Sequence, residues 1–278
     1  MPPKDIVVFL EEEEGRENRL AFAASLASFW QAHLIATFVV ERLQLNRNAS
    51  FAVGAGLTDL LKRHHEGVER ALATTRASFD HHISQAGLSG EWRISRDESG
   101  EELMLHARHA SLAIVGPPTR TTDTITMLGL SEDVIFASGR PSLLLPIGWQ
   151  PDRLPKRIVI GWNAGREATR AIADAMPFLV AAQAVHLVVV PEAKVQALHG
   201  ADPGADISRH LVRYGVPVEL EQHRGSDAGA VLLDRCRDLD ADMLVMGAVG
   251  RSRISEFIFG GATRTVLGQA GLPIFLSR

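Results

Sequence analysis

The chain closes twice in the same way. Residues 112–146 run LAIVG, then a stretch holding Gly129, then PSLLLP; residues 243–276 run MLVMG, then a stretch holding Gly260, then LPIFL. Gly116 and Gly247 lie 131 residues apart, as do Gly129 and Gly260, so the register holds without an insertion. That is the signature of a duplicated domain. The opening strands also repeat, IVVFL at 6–10 answered by IVIGW at 158–162, but at an offset of 152. The first copy is therefore 21 residues longer before Gly116, and the segment without a counterpart is NRNASFAVGAGLTDLLKRHH, residues 46–65. Between the copies GWQPDRLPK, residues 148–156, carries two prolines and no apolar period, as a linker does. Two domains are expected, 1–148 and 156–278.

A length of 278 residues and an apolar content of 46% suit two cores of ordinary size. The formal charge of −4 gives no basic footprint for nucleic acid. No apolar run approaches the ~18 residues of a membrane span, and MPPKDIVVFL has no long apolar leader segment. A soluble cytoplasmic protein is expected. The single cysteine, Cys236, has no internal disulfide partner, and LLDRCRDLD places it on a helix as a buried structural thiol.

Strand-like and helix-like segments alternate. In the second copy the strand at 158–162 precedes a helix striped by Ala168, Ala171, Ile172, Ala175 and Leu179. VHLVVV is a second strand, a helix is expected around 207–214, and VPVELEQ is a third strand. Ser226 or Asp227 caps the next helix. DMLVMG is a fourth strand, residues 254–270 are expected to hold a last helix, and LPIFLS is a fifth strand. The first copy follows the same order, with Leu20, Ala23, Ala24 and Ala27 striping its first helix and LIATFVV as its second strand. The fold class is α/β: two five-stranded, mostly parallel open sheets with helices on both faces. The closing strands LPIFLS and PSLLLP are short, apolar potential edges. Their pairing would join the sheets into one pseudo-two-fold molecule.

In such sheets ligands bind beyond the carboxyl ends of the strands. At one of those ends the second copy reads GAVGRSRISEFIFGG. Gly247 and Gly250 flank a loop where backbone N–H groups approach a ligand closely. Gly260 and Gly261 stand at a helix start, where unpaired N–H groups and the helix dipole favour an anion. Together they form a phosphate cradle, to which Arg251, Ser252 and Arg253 add charge or a hydroxyl, or merely a solvated loop. Alternatively the glycines serve only turns and close packing.

The G-x2-G-x9-G segment at Gly247, Gly250 and Gly260, the preceding ADMLVMG, the closing LPIFL and the opening VIGWNAGREATRAIADAMPFL resemble the universal stress protein family in its tandem form. The resemblance covers essentially the whole chain, strongly over 156–278 and more loosely over 1–148. It implies a Rossmann-like fold of the adenine nucleotide alpha hydrolase type and a stress-linked binding or regulatory role. Carried over by position, base and ribose would lie near Trp162, Asn163, Val189 and Val190. Phosphates would lie near Met246, Gly247, Gly250 and Arg251 and over Gly260, Gly261 and Ala262. The implied ligand is ATP or AMP, with or without magnesium. The family pattern places Ser or Thr after the third glycine, where this chain has Gly261, and ends its first strand in Asp, where this chain has Asn163. Thr263 either replaces the missing hydroxyl or is a helical surface residue.

In the first copy Thr119 replaces the second glycine, and Pro117 and Pro118 remove backbone donors. Glu11 to Glu14 would repel phosphate at the same mouth; they are otherwise a solvated loop or a cation site. The first domain is expected to bind no nucleotide in the family manner. Among eleven histidines, His64–His65, His81–His82 and His106 with His109 lack further ligands for a metal site, and HHEGVE has Glu69 where a zinc protease needs histidine. No P-loop, dinucleotide glycine fingerprint or nucleophile elbow is present. No catalytic or metal residues are therefore assigned, and any ATP hydrolysis would be slow and incidental. Two readings stand: a nucleotide-binding stress module signalling to an unknown protein partner, and a nucleotide-free scaffold in which the insertion's AVGAGL is a contact surface. The pseudo-dimer within the chain leaves further homodimerisation open.

Overall fold

The computed structural model describes residues 1–40, 55–96, 100–117, 130–149, 154–191, 202–248, 250–253 and 256–278, with backbone alone for 55–57, 100–102, 250–253 and 256–259. In the first half the strands are β1 (Asp5–Leu10), β2 (His33–Val40), β3 (Gly90–Arg96), β4 (Leu112–Val115) and β5 (Ser142–Leu144). The helices between them are α1 (Arg16–Trp30), α2 (Ala55–Ala86), α3 (Gly100–Arg108) and α4 (Leu130–Ala137). The second half repeats the order with β6 (Arg157–Trp162), α5 (Arg166–Ala181), β7 (Ala184–Val189), α6 (Ala205–Arg213), β8 (Val218–Gln222), α7 (Ala228–Asp238) and β9 (Met243–Gly247). It ends with a hairpin of β10 (Gly250–Arg253) and β11 (Glu256–Phe259), then α8 (Gly261–Gln269) and β12 (Ile274–Ser277).

The two expected sheets are one ten-stranded sheet, ordered β3-β2-β1-β4-β5-β12-β9-β6-β7-β8. Each half is parallel, and the halves meet antiparallel through β5 and β12, with Leu143 opposite Phe275. The closing strands pair as their apolar edges require. Helices α1, α2, α5 and α6 pack on one face, around Phe22, Trp30, Phe79, Phe178 and Leu211. Helices α3, α4, α7 and α8 cover the other, around Met104, Phe136, Leu232, Cys236 and Val266. Strands buried on both faces read as continuous apolar runs, as Ile6 to Leu10 do. Across the pseudo-two-fold, Trp30 meets Phe178 edge-to-face at 4.7 Å.

The structure refines several of these expectations. The last helix lies within 254–270 and starts at Gly261, as expected of Gly260 and Gly261, and the strands β10 and β11 precede it. The short run Phe257, Ile258 and Phe259 is aromatic and β-branched, as strand segments are. The extra length of the first copy lengthens a helix: α2 has 32 residues where α6 has 9. Residues 46–54 of the insertion, including Ala52 to Gly54 of AVGAGL, lie outside the described residues. The helix expected at 207–214 runs over 205–213, and Asp227, not Ser226, caps α7.

Asp227 accepts from Gly229 N at 2.8 Å and Ala230 N at 3.2 Å, and its second oxygen accepts from the Thr265 hydroxyl at 2.8 Å. It thus caps α7 and ties it to α8. Gly229 permits that contact: an added Cβ would stand 2.6 Å from Ala262 O. The Thr265 hydroxyl, then the N–H groups of Ala230 and Gly229, hold the Asp227 carboxyl below its ordinary range. A depressed folded value means stability that is present above the unfolded value and lost as pH falls through the folded one. Asp227→Ala is expected to cost about 1–2 kcal/mol in urea denaturation at neutral pH, and less in acid.

Cys236 is buried, and burial pushes its thiol up to about 12, as a structural thiol should be. Among the described residues no helix is long and apolar enough to cross a membrane.

Candidate functional site

At the carboxyl ends of β6, β7 and β9 the second half encloses a cavity of about 260 Å³. Its apolar wall comprises Val188, Val190, Leu232 and Met246, with Trp162 at its edge. The floor is Gly161, where an added Cβ would lie 2.7 Å from Leu232 Cδ1. At the other end stand Gly247, Gly260, Gly261, Ala262 and Thr263.

This second end is built to receive an anion. Gly260 caps α8 without a side-chain hydrogen bond, and its carbonyl accepts from Arg264 N at 3.0 Å. The N–H groups of Gly261 and Ala262 therefore have no partner within the helix. They sit at the positive end of its dipole. Gly247 brings a second helix start into place: its Cβ would stand 2.5 Å from Ala168 N and from Glu167 C. No Asp, Glu or His lines the cavity among the described residues.

Of the expected site residues, Trp162, Asn163, Val190, Met246, Gly247, Gly260, Gly261 and Ala262 converge on the cavity. Val189 does not, because neighbouring strand residues face opposite sides; Val188 and Val190 line it instead, and Val189 O accepts from His223 N at 2.9 Å. Gly250 opens β10, and the side chain of Arg251 lies outside the described residues. Thr263 is no surface residue: it is 1% exposed and lines the cavity. Asn163 Oδ1 accepts from Gly165 N at 2.9 Å, so its oxygen caps the β6–α5 turn. Gly161, Ala168, Val188, Ala228 and Leu232 were not foreseen. A glycine within strand-like VIGW was the one available signal, since such a residue marks close approach of a ligand or a second backbone.

The outer wall is braced by Glu221, which accepts from His186 Nδ1 at 2.8 Å, His223 Nε2 at 2.8 Å and Arg235 Nε at 2.9 Å. Burial raises the Glu221 carboxyl, but these donors outweigh it and hold it below its ordinary range. Among the described residues no three His, Cys, Asp or Glu side chains converge as metal ligands do.

The corresponding end of the first half is acidic. Glu132 and Asp133 occupy the first turn of α4. Burial, then the Glu132 charge, push the Asp133 carboxyl from 3.8 to about 6. A raised folded value means the folded state holds the proton longer, so stability falls as pH rises from 3.8 to about 6. Discounted for partial exposure, Asp133→Asn is expected to raise stability by about 1 kcal/mol near neutral pH. The gain should vanish below the unfolded value, as guanidine denaturation across that pH range will read. Gly129, Thr119 and Pro118 lie outside the described residues.

The model of the universal stress protein family matches residues 155–278. The second half of this chain belongs to the universal stress protein family. A curated universal stress protein of Mycolicibacterium smegmatis is 32% identical over 69 residues, 25% of this chain and 53% of that protein. The chain thus matches about half the length of that relative. A universal stress protein from Archaeoglobus fulgidus has a TM-score of 0.66 at 17% identity, covering 98% of each chain. A functionally unknown protein from Pseudomonas aeruginosa PAO1 has a TM-score of 0.61 at 16% identity, covering 99% of this chain and 92% of its own. These two likenesses establish the fold over both halves, the tandem arrangement included.

Proposed function

We propose that the second, universal stress protein half binds an adenine nucleotide, ATP or AMP, and that the chain acts as a cytoplasmic stress-response regulatory module, not as an enzyme. The observation that carries this reading is the uncapped start of α8, which closes one end of a cavity whose opposite wall is apolar. A purine suits Val188, Val190, Leu232 and Met246. A phosphate suits the N–H groups of Gly261 and Ala262. The missing serine after Gly260 removes one contact to a charged group, worth about 1.5 kcal/mol, and leaves the backbone donors in place. Asn163, through its amide nitrogen, offers a donor to ribose in place of the family's carboxylate acceptor. The described lining has no carboxylate or imidazole to act as a general base, which favours binding over turnover.

Trp162 borders the cavity and reports on it. Titration of ATP, ADP and AMP, with and without magnesium, should give a saturable change in tryptophan fluorescence that Trp162→Phe abolishes. A flat response in wild type together with flat calorimetry would favour the nucleotide-free scaffold.

A further inference from the structure

The first half carries the same crevice in topology, and four side-chain features fill it. Phe9 takes the place of Gly161: it pairs with Thr37 on β2 as Gly161 pairs with Val188 on β7. The floor that is open in the second half is there covered by a phenyl ring with no exposure. Arg19, 3% exposed, lies over Gly116, the counterpart of Gly247. Its Nη1 donates to Phe9 O at 2.8 Å and its Nη2 is paired with Glu13. An added Cβ at Gly116 would meet Arg19 Cζ at 2.8 Å and Glu13 Oε1 at 3.0 Å, whereas at Gly247 it would meet only α5 residues. Ser131, in the position of Ala262, donates to Gly116 O at 2.8 Å and draws the start of α4 onto the end of β4. Pro117 follows where the Ala248 N–H donates to Ser277 O at 2.8 Å, so that bond between strand ends has no counterpart in the first half.

We propose that the first crevice is a self-filled site. Phe9 stands in the space of a base, the Arg19–Glu13 pair and Ser131 stand in the space of a phosphate, and the chain takes its nucleotide in the second half alone. Arg19 is the positioning residue of the closure, because one guanidinium joins the end of β1 to the β1–α1 turn and packs over the glycine that follows β4. The assignment of the ligand rests on the nucleotide reading of the second half; the closure does not. The duplicated chain is then an asymmetric dimer in one polypeptide, with a receptive half and a half held permanently shut.

Two measurements test this. Calorimetry of ATP with wild type should give a single equivalent per chain, and Gly261→Glu, which alters only the second half, should leave no binding at wild-type affinity. Two equivalents, or an equivalent of wild-type affinity in that variant, would overturn the proposal while leaving nucleotide binding intact. Hydrogen exchange of Arg19→Ala, without ligand, should accelerate about tenfold or more at Gly116 and the first turn of α4 and stay unchanged around Gly247. Ser131→Ala serves the same comparison should the arginine variant not fold. Unchanged protection in the first half would refute the closure. If wild type binds no nucleotide at all, the nucleotide reading fails, and exchange alone decides the closure.

Discussion

Gly261→Glu is expected to weaken nucleotide binding by about a hundredfold or more without loss of fold. Nothing lies within 4 Å of a Cβ added at Gly261, so the side chain enters open space at the mouth of the cavity. A carboxylate in the first turn interacts favourably with the α8 dipole, and replacing glycine lowers the entropy of the unfolded chain; stability should hold or rise by about 0.5–1 kcal/mol. A phosphate arriving at the same N–H groups meets a like charge. At roughly 4–6 Å and an effective dielectric near 20 the repulsion is about 3–4 kcal/mol, more than two decades of affinity. Unchanged thermal unfolding with lost affinity is the expected pair of results. Equal affinity in wild type and variant would place the ligand elsewhere.

Gly247→Ala should do the reverse and damage the fold first. Its Cβ would overlap Ala168 N and Glu167 C at 2.5 Å, both backbone atoms of the first turn of α5, where no rotamer change gives relief. Either β9 or α5 must shift. Overpacking of this kind costs about 1–3 kcal/mol, and a backbone clash belongs at the upper end. Because α5 contacts β9 and β12 and its start lines the cavity, ligand affinity should fall together with the urea midpoint. Gly261→Ala, with open space around it, is the control that should change neither appreciably. A fully stable Gly247→Ala variant would show that the close approach of α5 to β9 is not required.

Much of this architecture is legible in the sequence because duplication supplies its own comparison. The spacing from Gly116 to Gly129 and from Gly247 to Gly260 identifies the same β–loop–helix twice, and the apolar closing strands announce their pairing. Local signals fail where a short segment has no clear period. Residues 250–253 and 256–259 lead into the last helix, yet they pair as two short strands. Val189 was expected at the site from its place at a strand end, but side-chain alternation gives that role to Val188 and Val190. The burial of Thr263 depends on how α8 docks beside α7 through Gly229, a contact between segments far apart in sequence. Closure of the first crevice is likewise tertiary. Phe9 reads as an ordinary strand residue and Arg19 as an ordinary helix cation until β1, α1 and β4 are brought together.

The most direct test is calorimetric titration of ATP and AMP into wild type and Gly261→Ser side by side. The serine restores the hydroxyl of the family pattern at a position with free space. A hydrogen bond to a charged phosphate is worth about 1.5 kcal/mol, so the variant should bind about tenfold more tightly than a saturable wild type. No heat from either protein up to millimolar nucleotide would contradict the account, and the uncapped start of α8 would then be a feature of the fold alone.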